Sequence, residues 1–234
     1  MKPVRGAIAS PNIWQHTATY EIENTAADPD GRLWSAMESR ADWTGATVLD
    51  LGCGTGFHLP LFAQRAGRVV GVEPHQGLVG LARRRLTARG VGNAVVLPGT
   101  AQEIPLPDAS VDVAHARWAY FFGRGCEPGL AELARVMRPG GTALVIDNDG
   151  SRSTFGAWFR RGYPHLDPPA ETERFWTLRG WTLDRVDMGW RFASREDLAA
   201  VVRIEFNPAT AEEILRHHEG LEVDYAVNLW SRTF

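Results

Sequence analysis

An apolar run enters a turn with glycine at three alternate positions: Val48-Leu49-Asp50-Leu51-Gly52-Cys53-Gly54-Thr55-Gly56. Such a turn forces the chain to leave a strand sharply, and glycine adopts the left-handed backbone this requires without steric cost. With no side chain in the way, backbone N–H groups of the turn can approach a ligand closely. The next apolar run, residues 68–73, ends on a carboxylate, Glu73. An acid about twenty residues beyond the first glycine is placed to accept hydrogen bonds from both hydroxyls of a ribose. Together the two features imply a nucleoside-containing cofactor bound at the edge of a sheet.

The surrounding pattern agrees with a sheet covered by helices. Residues 47–51, 68–73, 94–97, 111–116 and 142–147 are β-branched or nearly continuously apolar, as strands buried on both faces are. Between them Leu78, Leu81, Ala82 and Leu86 recur at helical spacing, as do Leu130, Leu133, Ala134 and Met137. Arg138-Pro139-Gly140-Gly141 reads as the stop of that second helix. Alternating strands and helices predict a parallel sheet with right-handed crossovers.

The first 45 residues mix polar groups with Trp14, Tyr20, Trp34 and Trp43, and a helix is expected over 32–40. This leading segment is either a lid over the ligand edge of the sheet or a helix packed on the sheet. Residues 148–180 show no clear period. Residues 181–190 and 221–230 read as strands, and Ser194 and Asn207-Pro208 read as helix starts. The expected organisation is one domain, with a lid segment over 1–45, a cofactor-binding core over 46–147, and an acceptor-side insertion with C-terminal strands over 148–234.

Composition narrows the function. Of 234 residues 44% are hydrophobic, enough for a substantial core, and the net charge of −3 offers no general attraction to phosphate backbones. Nucleic acid is therefore not expected as a partner. The two cysteines, Cys53 and Cys126, form no disulfide framework or metal-ligand spacing, which points to a reducing, cytoplasmic setting and no metal. No run is long and apolar enough to suggest a membrane span or a signal peptide. The nine tryptophans read mainly as packing residues, with an aromatic-lined pocket as the other possibility.

The glycine spacing bears on the cofactor. A dinucleotide site wants Gly-x-Gly-x-x-Gly, and Phe57 stands where the third glycine would fall. This weighs against a nicotinamide-dependent oxidoreductase without excluding it. No Gly-Lys-Ser/Thr follows, so the turn is not a P-loop.

Further segments extend the pattern. Val69-Val70-Gly71-Val72-Glu73 forms a strand with a terminal acid. Pro98-Gly99-Thr100-Ala101-Gln102-Glu103-Ile104-Pro105-Leu106-Pro107-Asp108 precedes Val111-Asp112-Val113, and Glu132 to Gly141 closes the series with Arg-Pro-Gly-Gly. In this order and spacing, across residues 12–147, the sequence resembles the class I S-adenosylmethionine-dependent methyltransferases of small-molecule type. The resemblance implies a Rossmann-like seven-stranded α/β sheet, mostly parallel with an antiparallel C-terminal strand, and with helices on both faces. It also implies S-adenosylmethionine as cofactor. Gly52, Cys53, Gly54 and Gly56 would run beside the methionine part, with Asp50 orienting the turn. Glu73 would hold the ribose, Pro74 would pack on the adenine, and Ala101 and Gln102 would meet the adenine edge. Ala116 would offer its carbonyl to the methionine amine, and Tyr20 would close over the cofactor. Thr100 stands where many relatives carry Asp, so the adenine amino group would meet a weaker acceptor there.

On the acceptor side the resemblance points to residues after the fourth and fifth strands: Arg117, Trp118 and Tyr120, then Asn148, with Asp147 and His58 as further candidates. His115, inside an apolar strand, reads as a hydrogen-bonded core residue. The Asn/Asp-Pro-Pro-Tyr/Phe motif of base and glutamine methylation is absent, with Ala116-Arg117-Trp118-Ala119 in its place. A small-molecule acceptor is therefore expected. The alternatives are a nicotinamide-dependent oxidoreductase and a cofactor-binding protein without catalysis.

Overall fold

Residues 3–234 are described by a computed structural model. Seven strands form one sheet: β1 (Thr47–Leu51), β2 (Arg68–Glu73), β3 (Ala94–Pro98), β4 (Val111–Arg117), β5 (Met137–Asn148), β6 (Thr182–Arg191) and β7 (Glu222–Thr233). Their order is β3-β2-β1-β4-β5-β7-β6. All neighbours pair parallel except β7, which is antiparallel to both β5 and β6. The chain order reverses between β1 and β4, and a ligand crevice opens at such a switch point, outside the carboxyl ends of the strands.

Strand parity decides what lies on each face. Val48, Val69, Val113, Leu144 and Ile146 belong to one core cluster, and Leu49, Val70, Ala114 and Val145 to the other. The first cluster is closed by α3 (Arg32–Arg40), α4 (Leu59–Ala63), α5 (Gln76–Ala88), α7 (Thr154–Gly162), α9 (Arg195–Glu205) and α10 (Pro208–His217). The second is closed by α6 (Glu127–Val136) and α8 (Pro169–Thr177). Two short leading helices, α1 (Pro11–Gln15) and α2 (Thr17–Ala26), precede the sheet, and α2 packs against α9. Among the described residues no helix is long and apolar enough to cross a membrane.

Two sequence expectations are corrected. Residues 148–180 hold two helices, α7 and α8. Their apolar positions, Phe155 and Trp158 on α7 and Phe175 and Trp176 on α8, are too few to mark a period. Arg138–Gly141 is not a loop after a helix: α6 stops at Val136 and the same residues open β5, where Gly140 donates to the carbonyl of Phe234. The tryptophans are mainly packing residues, as expected, since Trp43, Trp158, Trp176, Trp181, Trp190 and Trp230 of the nine are buried. Their number therefore says little about an aromatic pocket.

Candidate active site

The turn after β1 has the backbone its sequence demands. Gly52, Gly54 and Gly56 have φ of +79°, +55° and +75°. A Cβ at Gly52 would lie 2.5 Å from Cβ of Ala119 in the loop after β4, and one at Gly54 would lie 2.6 Å from Cδ1 of Ile13. The turn is therefore pressed between two other segments as well as bent. Thr55 is fastened by its hydroxyl to Glu21 of α2, and Arg85 of α5 binds the Thr55 carbonyl at 3.2 Å and pairs with Glu21.

Glu73, at the carboxyl end of β2, is 4% exposed. One carboxylate oxygen accepts from the N–H of Gly54 at 3.0 Å and the other from the N–H of His75 at 2.8 Å. Burial pushes its acid up to about 7, and the two N–H groups pull the other way. A carboxylate has about four acceptor positions, so these bonds leave capacity for a diol.

The leading segment runs along the same edge. The N–H of Val4 donates to the carbonyl of Pro74 at 2.8 Å, and the ring of Trp14 lies 4.9 Å from that of His75. Gln102 reaches the carbonyl of Gly6 at 3.4 Å, while Ala101 beside it is buried. Thr100 uses its hydroxyl oxygen to accept from the N–H of Glu103 at 3.1 Å, which shapes the turn after β3.

Asp50 departs from the expected role. It is paired in register with His115 across β1 and β4, and its Oδ1 is bound to His115 Nδ1 at 2.8 Å. Its recorded side-chain bond thus goes to the neighbouring strand and not to the glycine turn. His115 is hydrogen-bonded core, as its apolar surroundings suggested, although its Nε2 is buried without a partner. Cys53 is buried over Gly71, where a Cβ would meet its Sγ at 2.7 Å.

Parity sorts the acceptor-side candidates. Arg117 and Asn148 point to the face of the first core cluster, and Asp147 to the other. Arg117 Nη1 donates to His58 Nε2 at 3.0 Å, and its guanidinium lies 4.1 Å above the Trp118 ring. Burial and the adjacent guanidinium hold His58 well below its usual range, so it is neutral and can accept this bond. Trp118 stacks on Tyr225 of β7 at 5.8 Å, and the Tyr225 hydroxyl donates to Asn148. Trp118 and Tyr120 have φ of +49° and +55°, a conformation side chains seldom adopt outside constrained sites. Tyr120 turns the other way and packs over Gly129 of α6 with the second cluster. Asp147 is also on that side, bound to Asn228 at 2.8 Å, with burial raising its acid to about 7. Ala116, buried next to the end of β4, belongs to the second cluster.

The structure adds residues that sequence reasoning passed over. Glu23 of α2 and Glu205 at the end of α9 lie close enough to Tyr20 and Tyr225 to raise their hydroxyls, and Glu23 also acts on Arg117. Both carboxyls are raised by burial, and Glu205 also accepts from Asn12 of α1. No local pattern marks these groups, because they converge from opposite ends of the chain. Among the described residues no cluster of His, Cys, Asp and Glu is arranged to hold a metal ion.

The geometry agrees with comparisons to known proteins. A family model described as a methyltransferase domain matches residues 48–141, which covers β1 to the opening of β5. A malonyl-[acyl-carrier protein] O-methyltransferase from Serratia marcescens is 35% identical over 100 residues, 43% of this chain and 37% of that protein. A demethylmenaquinone methyltransferase from Lactococcus lactis is 28% identical over 144 residues, 57% of each chain. The chain thus spans about half the length, or less, of these curated relatives. The crystal structure of YcgJ from Bacillus subtilis superposes with a TM-score of 0.63 at 17% identity, over 86% of this chain and 97% of that one. That likeness shows the fold.

Proposed function

We propose that this chain, which belongs to the class I S-adenosylmethionine-dependent methyltransferases, transfers the methyl group of S-adenosylmethionine to a small-molecule acceptor. The observation that carries the proposal is the buried Glu73 carboxylate closed onto the positive-φ glycine turn at the switch point of the sheet. These residues fit the cofactor. Glu73 keeps free acceptor capacity for ribose hydroxyls, and the glycine turn leaves its backbone N–H groups without side chains beside them. Pro74, Ala101 and Gln102 would flank the adenine, Ala116 would offer a strand-end carbonyl to the methionine amine, and Tyr20 of α2 would close over the cofactor.

When bound, the cofactor supplies an electrophilic methyl group on a sulfonium. The chain's own part is to hold two reactants in line and to exclude water. Glu73 and the turn fix one reactant. Arg117, Trp118 and Asn148, all at the strand ends of the first-cluster face, are placed to receive the other. α1 and α2 cover both, through Ile13 on Gly54 and through Glu21 on Thr55. No protein base is required where the acceptor atom already carries its lone pair.

The experiment is incubation of the purified chain with S-adenosylmethionine and a panel of small acids, phenols, amines and quinols, reading release of S-adenosylhomocysteine. Acceptor-dependent release supports the reading. Tight binding of S-adenosylhomocysteine with no release for any acceptor would favour a binding protein, and preference for NAD would favour an oxidoreductase.

A further inference from the structure

The loop after β4 leaves one charged side chain half finished. Arg117 has five N–H donors, and the one recorded bond is from Nη1 to His58. Its Nε and Nη2 are buried and have no partner. Among the described residues no carboxylate lies within ion-pair distance of it. Neutral His58 cannot balance its charge, and Tyr20 and Tyr225, whose hydroxyls burial keeps protonated, cannot either. Two carboxyls act on the guanidinium from beyond contact, Asp28 and Glu23. Asp28 spends its oxygens on the N–H groups of Leu33 and Trp34 at the start of α3, and burial and Glu205 favour the neutral form of Glu23. An unpaired buried guanidinium is costly, and proteins meet that cost with an anion or a change of structure. Nε and Nη2 form one edge of the planar fork, and that edge matches the two oxygens of a carboxylate.

We propose that the acceptor is a carboxylic acid and that Arg117 binds its carboxylate through Nε and Nη2. The inference rests on the reading of this chain as a small-molecule methyltransferase. The apolar part of the acid would lie along Trp118, whose ring already covers one side of the guanidinium. The backbone strain at Trp118 fits a residue held in place for a ligand. His58, fixed as an acceptor on Nη1, holds the fork so that its other edge is left without a protein partner.

The test uses the full chain saturated with S-adenosylhomocysteine, with benzoate and octanoate as probes and benzamide and octanamide as their neutral counterparts. Binding is followed by calorimetry and by the Arg Nε–H resonance of Arg117. At least one carboxylate should bind about 10- to 100-fold more tightly than its amide and shift that resonance. Arg117→Gln should abolish the preference, and Arg117→Lys should retain part of it. Both variants should bind S-adenosylhomocysteine within about threefold of the parent, which separates the acceptor subsite from the cofactor site. Equal binding of acids and amides, or no binding of either, overturns the proposal. So does loss of S-adenosylhomocysteine affinity in Arg117→Gln, which would assign the guanidinium to the cofactor. A change in melting temperature alone, with the preference intact, would assign it to the fold. Failure of the parent chain to bind S-adenosylhomocysteine would instead sink the methyltransferase reading itself.

Discussion

Glu73 does two jobs with one carboxylate. It shapes the glycine turn through the N–H of Gly54, and in the proposed site its remaining acceptor positions would take the ribose hydroxyls. Each hydrogen bond to a charged group is worth roughly 1.5–3 kcal/mol. Glu73→Ala should weaken S-adenosylmethionine binding by roughly 2–4 kcal/mol, about 30- to 1000-fold, measured by calorimetry. Because burial holds the acid up to about 7, the carboxylate needed for ribose binding is only partly formed at neutral pH. Cofactor affinity should therefore rise with pH through about 7, and Glu73→Gln should flatten that rise. An unchanged pH profile in the Gln variant would show that another group controls binding.

Asp147 carries a stability consequence. Its acid is also raised to about 7, so the folded chain keeps a proton that the unfolded chain releases near pH 4. Stability should fall as pH rises from about 4 to about 7 and then level off. Asp147→Asn preserves the bond to Asn228 and removes the titration. The melting temperature of this variant should drop less between pH 5 and 8 than that of the parent, by several degrees. Equal drops would contradict the raised acid of Asp147.

At the scale of elements, the turn between β1 and α4 works because the loop after β4 is docked on it. Gly52→Ala brings a Cβ to 2.5 Å from Ala119 at a φ of +79°. Gly140→Ala meets nothing within 4 Å at a φ of +82°. Both substitutions incur backbone strain of about 1–2 kcal/mol. Only the first should also abolish cofactor binding, as a melt and a titration of each variant would show.

The same elements show what a sequence displays. β1 and β2 were legible residue for residue, since strands buried on both faces are continuous apolar runs. The starts of α9 and α10 were legible from Ser194 and Asn207, which accept from Asp197 and Thr210 as N-caps do. α7 and α8 were not, because arginines and glycines in α7 and acidic and threonine residues in α8 leave only a short apolar pattern. Parity within β4 and β5 separates Arg117 from Asp147, a distinction that needs only the alternation of a strand. The meeting of Glu23, Glu205 and Tyr225 was invisible, because α2, α9 and β7 are far apart in the chain and no local period records their contact.

At the scale of the whole molecule, the sheet supplies a rigid edge and the leading helices supply a cover. α1 and α2 touch the edge through Ile13, Trp14 and Glu21, and they rest on α9 through Asn12 and Glu205. In the proposed site these helices would act as a cover over a ligand held by Glu73. Hydrogen exchange should show residues 11–26 opening well below the global stability, with clear slowing once S-adenosylhomocysteine is added. No change there on ligand binding would reduce α1 and α2 to packing.

The central claim is that the glycine turn and Glu73 form an S-adenosylmethionine site. Its most direct test is a calorimetric titration of the parent chain and Glu73→Ala with S-adenosylhomocysteine and, separately, with NAD. The account predicts one saturable S-adenosylhomocysteine site in the parent, weakened about 30- to 1000-fold in the variant, with no comparable binding of NAD. Equal S-adenosylhomocysteine affinity in the two proteins, or tighter binding of NAD, would contradict it.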